Sequence, residues 1–426
     1  MKKTINYVHI AVTAVITAVV ALLIANMMGS EKQIESKVER LYSVTDAQFL
    51  RSMGILLGPT IMEGNRIQHL ENGDEIFPSM LEAIRSARKT ITFETYIYWS
   101  GEIGKRFADA FCERATAGVK VHILLDWVGS AKMDQEMLDE LENCRIEVER
   151  YHEPAWHNLT RMNNRTHRKL LVADGRVAFT GGVGIADQWT GDGQDPSHWR
   201  DSHFRVEGPA ATQFQAVFLD NWTKATGRVL HSSDYFPDIP NTGKMRAQMF
   251  SSSPTGGSES MQLMYLLSIA SASKSILLSS SYFVPDELVI KALAEAARRG
   301  VRIRIITPGT LIDTEMVRRA SRARWGKLLE AGVEIFEYQP TMFHCKVMVV
   351  DDFLVSTGST NFDNRSFRLN DEANLNIYNA EFAAQMRAVF EKDLAKSRRI
   401  TLEQWQQRPL TEKIMEHTLS LFGAQL

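Results

Sequence analysis

HRKLLVAD, residues 167–174, and HCKVMVVD, residues 344–351, are two copies of one pattern. Counted from each histidine, a lysine follows at +2, an aspartate at +7 and a glycine at +14. One His-x-Lys is common by chance; two copies agreeing at four positions are not. Both stretches read as the start of a β-strand. Side chains at i and i+2 share a strand face, so His167 points with Lys169, and His344 with Lys346. Arg168 and Cys345 then point to the other face, which makes Cys345 a core residue. Asp174 and Asp351 fall in the turn-like triplets ADG (173–175) and DDF (351–353). From there an aspartate is better placed to fix local backbone or orient the lysine than to attack a substrate.

The repeat extends beyond the motifs. SARKTITF (86–93) aligns with SASKSILL (271–278), and TAGVKVHILLD (116–126) with RRGVRIRIITP (298–308), at offsets of 185 and 182 residues. Each copy reads as helix, strand, helix, strand, the rhythm of an α/β fold. Helices are expected over 77–88 and 261–272, and strands over 90–99, 119–127 and 274–283. Polar, turn-rich sequence between 225 and 260 separates the copies. The expected organisation is a linker or helical stretch over 31–63, a first lobe over 64–235, a second over 236–400, and a helical tail over 401–426. The tail is weakly amphipathic and has two readings, membrane contact or packing on the lobes.

Composition narrows the function. The 426 residues carry 49 Lys+Arg against 51 Asp+Glu, a net charge of -2, without the basic excess of a nucleic-acid binder. Cys112, Cys144 and Cys345 fit neither a zinc site nor a disulfide framework. No Walker loop, dinucleotide fingerprint or HExxH is present, so no cofactor or metal is expected. Residues 4–30 hold no Asp, Glu, Lys or Arg, and 10–28 are almost wholly apolar, long enough for one transmembrane helix. Lys2 and Lys3 favour a cytoplasmic N-terminus. That places the rest of the chain on the extracytoplasmic face of a bacterial-type inner membrane. A cleaved signal peptide and a buried helix are the rival readings of residues 1–30.

The duplicated HxK(x)4D motif resembles that of the phospholipase D superfamily. The run RMNNRTHRKLLVADGRVAFTGGVGIAD looks like the cardiolipin synthase branch of it. The resemblance covers nearly all of the chain after residue 30. It implies two α/β/α lobes about a pseudo-two-fold axis, with both motifs at the interface. It further implies a covalent phosphohistidine route. His167 is then the nucleophile and His344 the general acid/base. Lys169 and Lys346 neutralise the phosphate oxygens, and Asn361 donates a further hydrogen bond. Ser359 and Arg365 join the phosphate-binding or supporting group; Arg365 also reads as the partner of a nearby acid.

By the same resemblance, a downstream carboxylate holds the far nitrogen of the histidine in each lobe. Asp201 and Glu372 are the candidates, with solvated surface acids as the plain alternative. The lobes differ: counted from the histidines, Gly184 stands opposite Asn361 and Gly182 opposite Ser359, which leaves room for a bulkier group in lobe one. The loop before His167 carries Arg161, Asn163 and Arg165, suited to an anionic headgroup. Trp189 and Trp199 read equally as membrane-interface or core residues. Membrane phospholipids, with phosphatidylglycerol expected, are the implied partners. The implied activity is phosphatidyl transfer from one phosphatidylglycerol to another with release of glycerol. Phospholipid hydrolysis is the alternative, with a nuclease or a non-catalytic scaffold further off.

Overall fold

The computed structural model describes residues 7–27, 34, 36–153, 163–254 and 258–420. The first copy contributes β1 (Met62–Glu71), β2 (Thr90–Thr95), β3 (Lys120–Asp126), β4 (Glu147–Tyr151), β5 (Arg165–Thr166), β6 (Leu170–Ala173), β7 (Val177–Gly181) and β8 (Ser202–Glu207). The second contributes β9 (Met245–Ser252), β10 (Ser275–Ser280), β11 (Phe283–Val284), β12 (Arg302–Pro308), β13 (Glu334–Tyr338), β14 (Lys346–Val350), β15 (Leu354–Gly358), β16 (Phe362–Asp363), β17 (Asn370–Tyr378) and β18 (Ser397–Ile400). Outward from the centre the first half runs β1-β8-β7-β6-β2-β3-β4, and the second β9-β17-β15-β14-β10-β12-β13-β18. Position for position the two orders match, with β18 added at one edge. Antiparallel β1 and β9 join the halves into one continuous sheet, and β17 also pairs with β9.

The sequence explains the strands. TITFET of β2 and SILLSS of β10 are buried along nearly their whole length, as central strands covered on both faces must be. Each pairs in parallel with the strand after its crossover helix, β3 or β12. The helix expected over 77–88 spans Asn72–Ser86 instead. Asp74 and Glu75 stand in its first turn, where acids suit the helix dipole, and Glu75 accepts the Glu71 N–H at 2.9 Å.

One expectation is corrected by packing. Cys112 and Cys144 form a disulfide, with Cα atoms 5.3 Å apart, although their spacing announced none. It ties helix Glu102–Thr116 to the end of helix Gln135–Asn143. Cys345 is buried and unpaired, as a core residue should be. Within the expected linker or helical stretch over 31–63, the helical reading is the one seen. Helix Ala47–Leu56 sends Phe49 and Met53 into the core of the second half.

A helix spans Tyr7–Met27, and its described side chains, residues 9–21, are exposed. Among the described residues no helix is long and apolar enough to cross a membrane. The anchor expected over 1–30 includes residues 1–6 and 28–30, which lie outside them. The tail helix Leu410–Ser420 packs on helix Glu315–Arg324 of the second half, with Leu419 against Val317 and Ala320.

Candidate active site

The two motifs meet in one cleft of about 130 Å³, lined by His167, Lys169, His344 and Asn361 among others. Clefts that enclose drug-sized ligands measure roughly 300–1,000 Å³. His167 and Lys169 lie between β5 and β6; His344 immediately precedes β14, which opens at Lys346. The expected sharing of faces holds. Arg168 turns away and is bonded to the Val217 carbonyl and the Asp220 carboxylate, both at 2.9 Å. The Cys345 thiol likewise faces the Arg200 carbonyl and Ser202.

Each histidine is held by a carboxylate, but from the opposite half. His167 Nδ1 lies 3.0 Å from Glu372, which stands on β17. His344 Nδ1 lies 2.7 Å from Asp201, just before β8. The expectation of one carboxylate serving its own lobe is thus corrected to a crossed pair. The cause is the seam: β17 brings Glu372 beside β5, with which it pairs in parallel, and the His167 N–H donates to the Asp371 carbonyl at 2.9 Å. In mirror fashion the His344 N–H donates to the Arg200 carbonyl at 2.8 Å. Both carboxylates are 0% exposed, which removes the surface-acid reading.

Electrostatics sorts the protons. Burial lowers His167 to about 4, against the pull of Glu372. Burial works to raise Glu372, yet His167 and Lys169 hold it down at about 2. The pair is therefore neutral imidazole and carboxylate. Donating Nδ1–H to Glu372 leaves Nε2 with its lone pair. Burial, with Lys346 beside it, also lowers His344, while Asp201 and Asp313 act to raise it. Burial lowers Lys169 to about 7 and lowers Lys346 too. Each ammonium is anchored on the carbonyl of its own motif histidine at 2.8 Å.

The motif aspartates lie elsewhere. Asp174 accepts the backbone N–H groups of Arg88, Lys89 and Thr90 at 2.7–3.1 Å. Asp351 accepts those of Ser273, Lys274 and Ser275 at 2.7–2.9 Å. Neither lines the cleft, and neither orients a lysine; the backbone-fixing alternative is the one realised. Both are in the left-handed region, φ 51° and 52°, as tight hairpin turns require.

Ser359 takes a supporting place and donates its hydroxyl to Glu372. Its counterpart is glycine because a Cβ on Gly182 would lie 2.2 Å from Asp201 Oδ1. In that half the Trp189 indole N–H donates to Asp201 at 3.0 Å instead. Gly184 does not leave open space, contrary to expectation: a Cβ there would meet Ile97 at 2.8 Å and the Trp189 ring at 3.3 Å. Asn361 lines the cleft with its amide oxygen accepting from Ser281, whose hydroxyl accepts from Lys346.

Of the loop residues, Arg165 lines the cleft, and Asn163 binds Arg365 through its side-chain oxygen at 3.1 Å and its carbonyl at 2.8 Å. Arg161 lies outside the described residues.

Sequence reasoning missed three wall residues, Tyr96, Tyr282 and Asp313, and left two tryptophans undecided. Tyr96 packs its ring 5.2 Å from that of His167. Trp189 and Trp199, left undecided, pack 5.3 and 5.6 Å from His344. Tyr282 and Asp313 complete the mouth. The tryptophans were findable from their closeness to Asp201; nothing marked Asp313.

Against known proteins, the family model described as "Cardiolipin synthase, PLD-like domain" matches residues 80–222 and 265–394. The chain belongs to this family. The first segment holds His167 and Asp201 and the second His344 and Glu372, so each crossed pair bridges the two PLD-like segments. A cardiolipin synthase of Geobacillus sp. (strain WCH70) is 36% identical over 360 residues, 84% of this chain and 72% of that protein. The major cardiolipin synthase of Bacillus subtilis (strain 168) is 33% identical over 85% of this chain and 75% of its own length. Among solved structures, the phosphatidylserine synthase of Haemophilus influenzae Rd KW20 matches with a TM-score of 0.67. It covers 88% of this chain and 99% of its own at 14% identity, a likeness of fold.

Proposed function

We propose that the protein is a phosphatidyltransferase that condenses two phosphatidylglycerols to cardiolipin and glycerol. The observation that carries this reading is the pair of histidines, each bonded through Nδ1 to a buried carboxylate, around one cleft with two lysines. Nε2 of His167 attacks phosphorus and the bond to the departing glycerol breaks. His344 gives that oxygen its proton. In the second step His344 takes the proton of the acceptor hydroxyl, that oxygen attacks phosphorus, and the P–N bond breaks. The order of roles follows the family resemblance. Burial lowers both histidines, and each has a carboxylate acting to raise it, Glu372 for His167 and Asp201 with Asp313 for His344, against neighbouring lysines. Lys169, Lys346 and Asn361 answer the charge on the phosphate oxygens.

The apolar segment over residues 1–30 serves in this reading as a membrane anchor with Lys2 and Lys3 in the cytoplasm. The Cys112–Cys144 disulfide supports a catalytic domain on the oxidising, extracytoplasmic face of a bacterial inner membrane.

The test is detergent-solubilised protein incubated with phosphatidylglycerol alone, in the presence of a chelator, with products read by mass spectrometry. Cardiolipin and glycerol are expected. Phosphatidic acid alone would mean that water, not lipid, is the acceptor, and no turnover sinks the reading. Protease added to intact spheroplasts is expected to digest the catalytic domain; full protection overturns the orientation.

A further inference from the structure

Tyr282 and Asp313 sit at the mouth of the cleft, outside both motifs. The phenol donates to Asp313 Oδ2 at 2.6 Å. Asp313 is exposed, and among the described residues no cation forms a salt bridge with it. Its field reaches His344 and Lys346. The other acid lining the cleft, Asp363, is committed to its helix, accepting the Ser366 N–H at 2.7 Å. The lining arginines, Arg165 and Arg365, gather at Asn163 and Asn164 before the first motif. Tyr282 also breaks the internal symmetry. At the repeat offset of 185 its counterpart is Ile97, so the first half offers alkyl surface where the second offers a phenol.

With its proton given to Asp313, the phenol oxygen can only accept, and so can the carboxylate. Such a pair takes a ligand rich in hydroxyl donors. Beside His344 that ligand is an alcohol whose oxygen is about to lose or receive a proton. We propose that Tyr282 and Asp313 form a polyol subsite that holds the spare hydroxyls of the glycerol headgroup while its reacting oxygen lies against His344. The subsite rests on the phosphatidyl-transfer reading and adds to it a choice of alcohol: glycerol-like acceptors over simple monohydric ones.

The choice is measurable by competition. The full-length protein in detergent is given phosphatidylglycerol with equal concentrations of 13C-labelled glycerol and ethanol. Mass spectrometry reads labelled phosphatidylglycerol against phosphatidylethanol. Asp313→Asn is expected to lower the glycerol-to-ethanol product ratio by roughly 10-fold, because a lost charged acceptor penalises only the alcohol it held. Tyr282→Phe should shift the ratio in the same direction by less. A ratio unchanged in both variants overturns the subsite, including the case where all products fall together. Replacing ethanol by ethanolamine gives a further arm. If Asp313→Asn suppresses the ethanolamine product and spares the glycerol product, the carboxylate serves a cation and the proposal is wrong. Wild-type protein that makes neither product overturns the transfer reading and the subsite with it.

Discussion

Glu372 and Asp201 determine which nitrogen of each histidine meets the substrate. Each takes Nδ1–H, so each Nε2 faces the cleft. Replacing Glu372 by Gln keeps the shape and removes the charge that supports a developing imidazolium. Turnover should fall on the order of 10³-fold with little change in KM, in a steady-state assay on mixed micelles. The pH profile follows from the same burial. His167 must be neutral and titrates at about 4; Lys169 must be charged and titrates at about 7. His344, which must carry the proton, is lowered as well. So kcat/KM of the free enzyme should rise as His167 loses its proton near 4 and fall as His344, and then Lys169 at about 7, lose theirs. A profile still rising at pH 8 would contradict this assignment. The sequence announced the four motif residues because their spacing is a strand-face argument. It could not announce the crossing of Glu372 and Asp201, since that depends on which edges of the two half-sheets meet.

At the scale of elements, the motif aspartates belong to turns. Asp174 and Asp351 each close a hairpin and clamp three N–H groups at the entry to β2 or β10. Asp351→Ala should cost about 3 kcal/mol of stability, read from denaturant unfolding, since hydrogen bonds to a charged group are each worth ~1.5–3 kcal/mol and water recovers part. The protein that remains folded should still form the phospho-enzyme. Loss of the intermediate without loss of stability would return Asp351 to the chemistry. The strands themselves were legible: continuous apolar runs with β-branched residues read as buried strands, and the offsets of 185 and 182 located their twins. The start of helix Asn72–Ser86 was not, because Pro78 and Gly73 obscure its periodicity.

At the scale of the molecule, the halves share one sheet, and the segment carrying Phe49 and Met53 crosses back to the second core. The disulfide is confined to the first half and closes a separation of 32 residues. The double variant Cys112→Ser, Cys144→Ser should lose about 2–4 kcal/mol of stability, measured as a lower midpoint of thermal inactivation. The wild type should fall to the same midpoint in reductant. An unaltered midpoint would mean that the bond is not formed in the folded protein. Three cysteines in 426 residues gave no hint of it, because a single long-range pair has no spacing signature.

The crossed carboxylates have a consequence for descent. β1 and β9 occupy equivalent places and run antiparallel, which is the form of a two-fold dimer contact drawn into one polypeptide. Two identical copies would have been bound to keep identical walls. Copies joined in one chain are free of that constraint. The walls differ: Gly182 makes room for the tryptophan-held Asp201 where Ser359 carries a hydroxyl, and Ile97 is alkyl where Tyr282 is a phenol. The gain from fusion is an entrance with two unlike sides, which a reaction between a departing and an arriving alcohol can use and a self-paired subunit cannot provide.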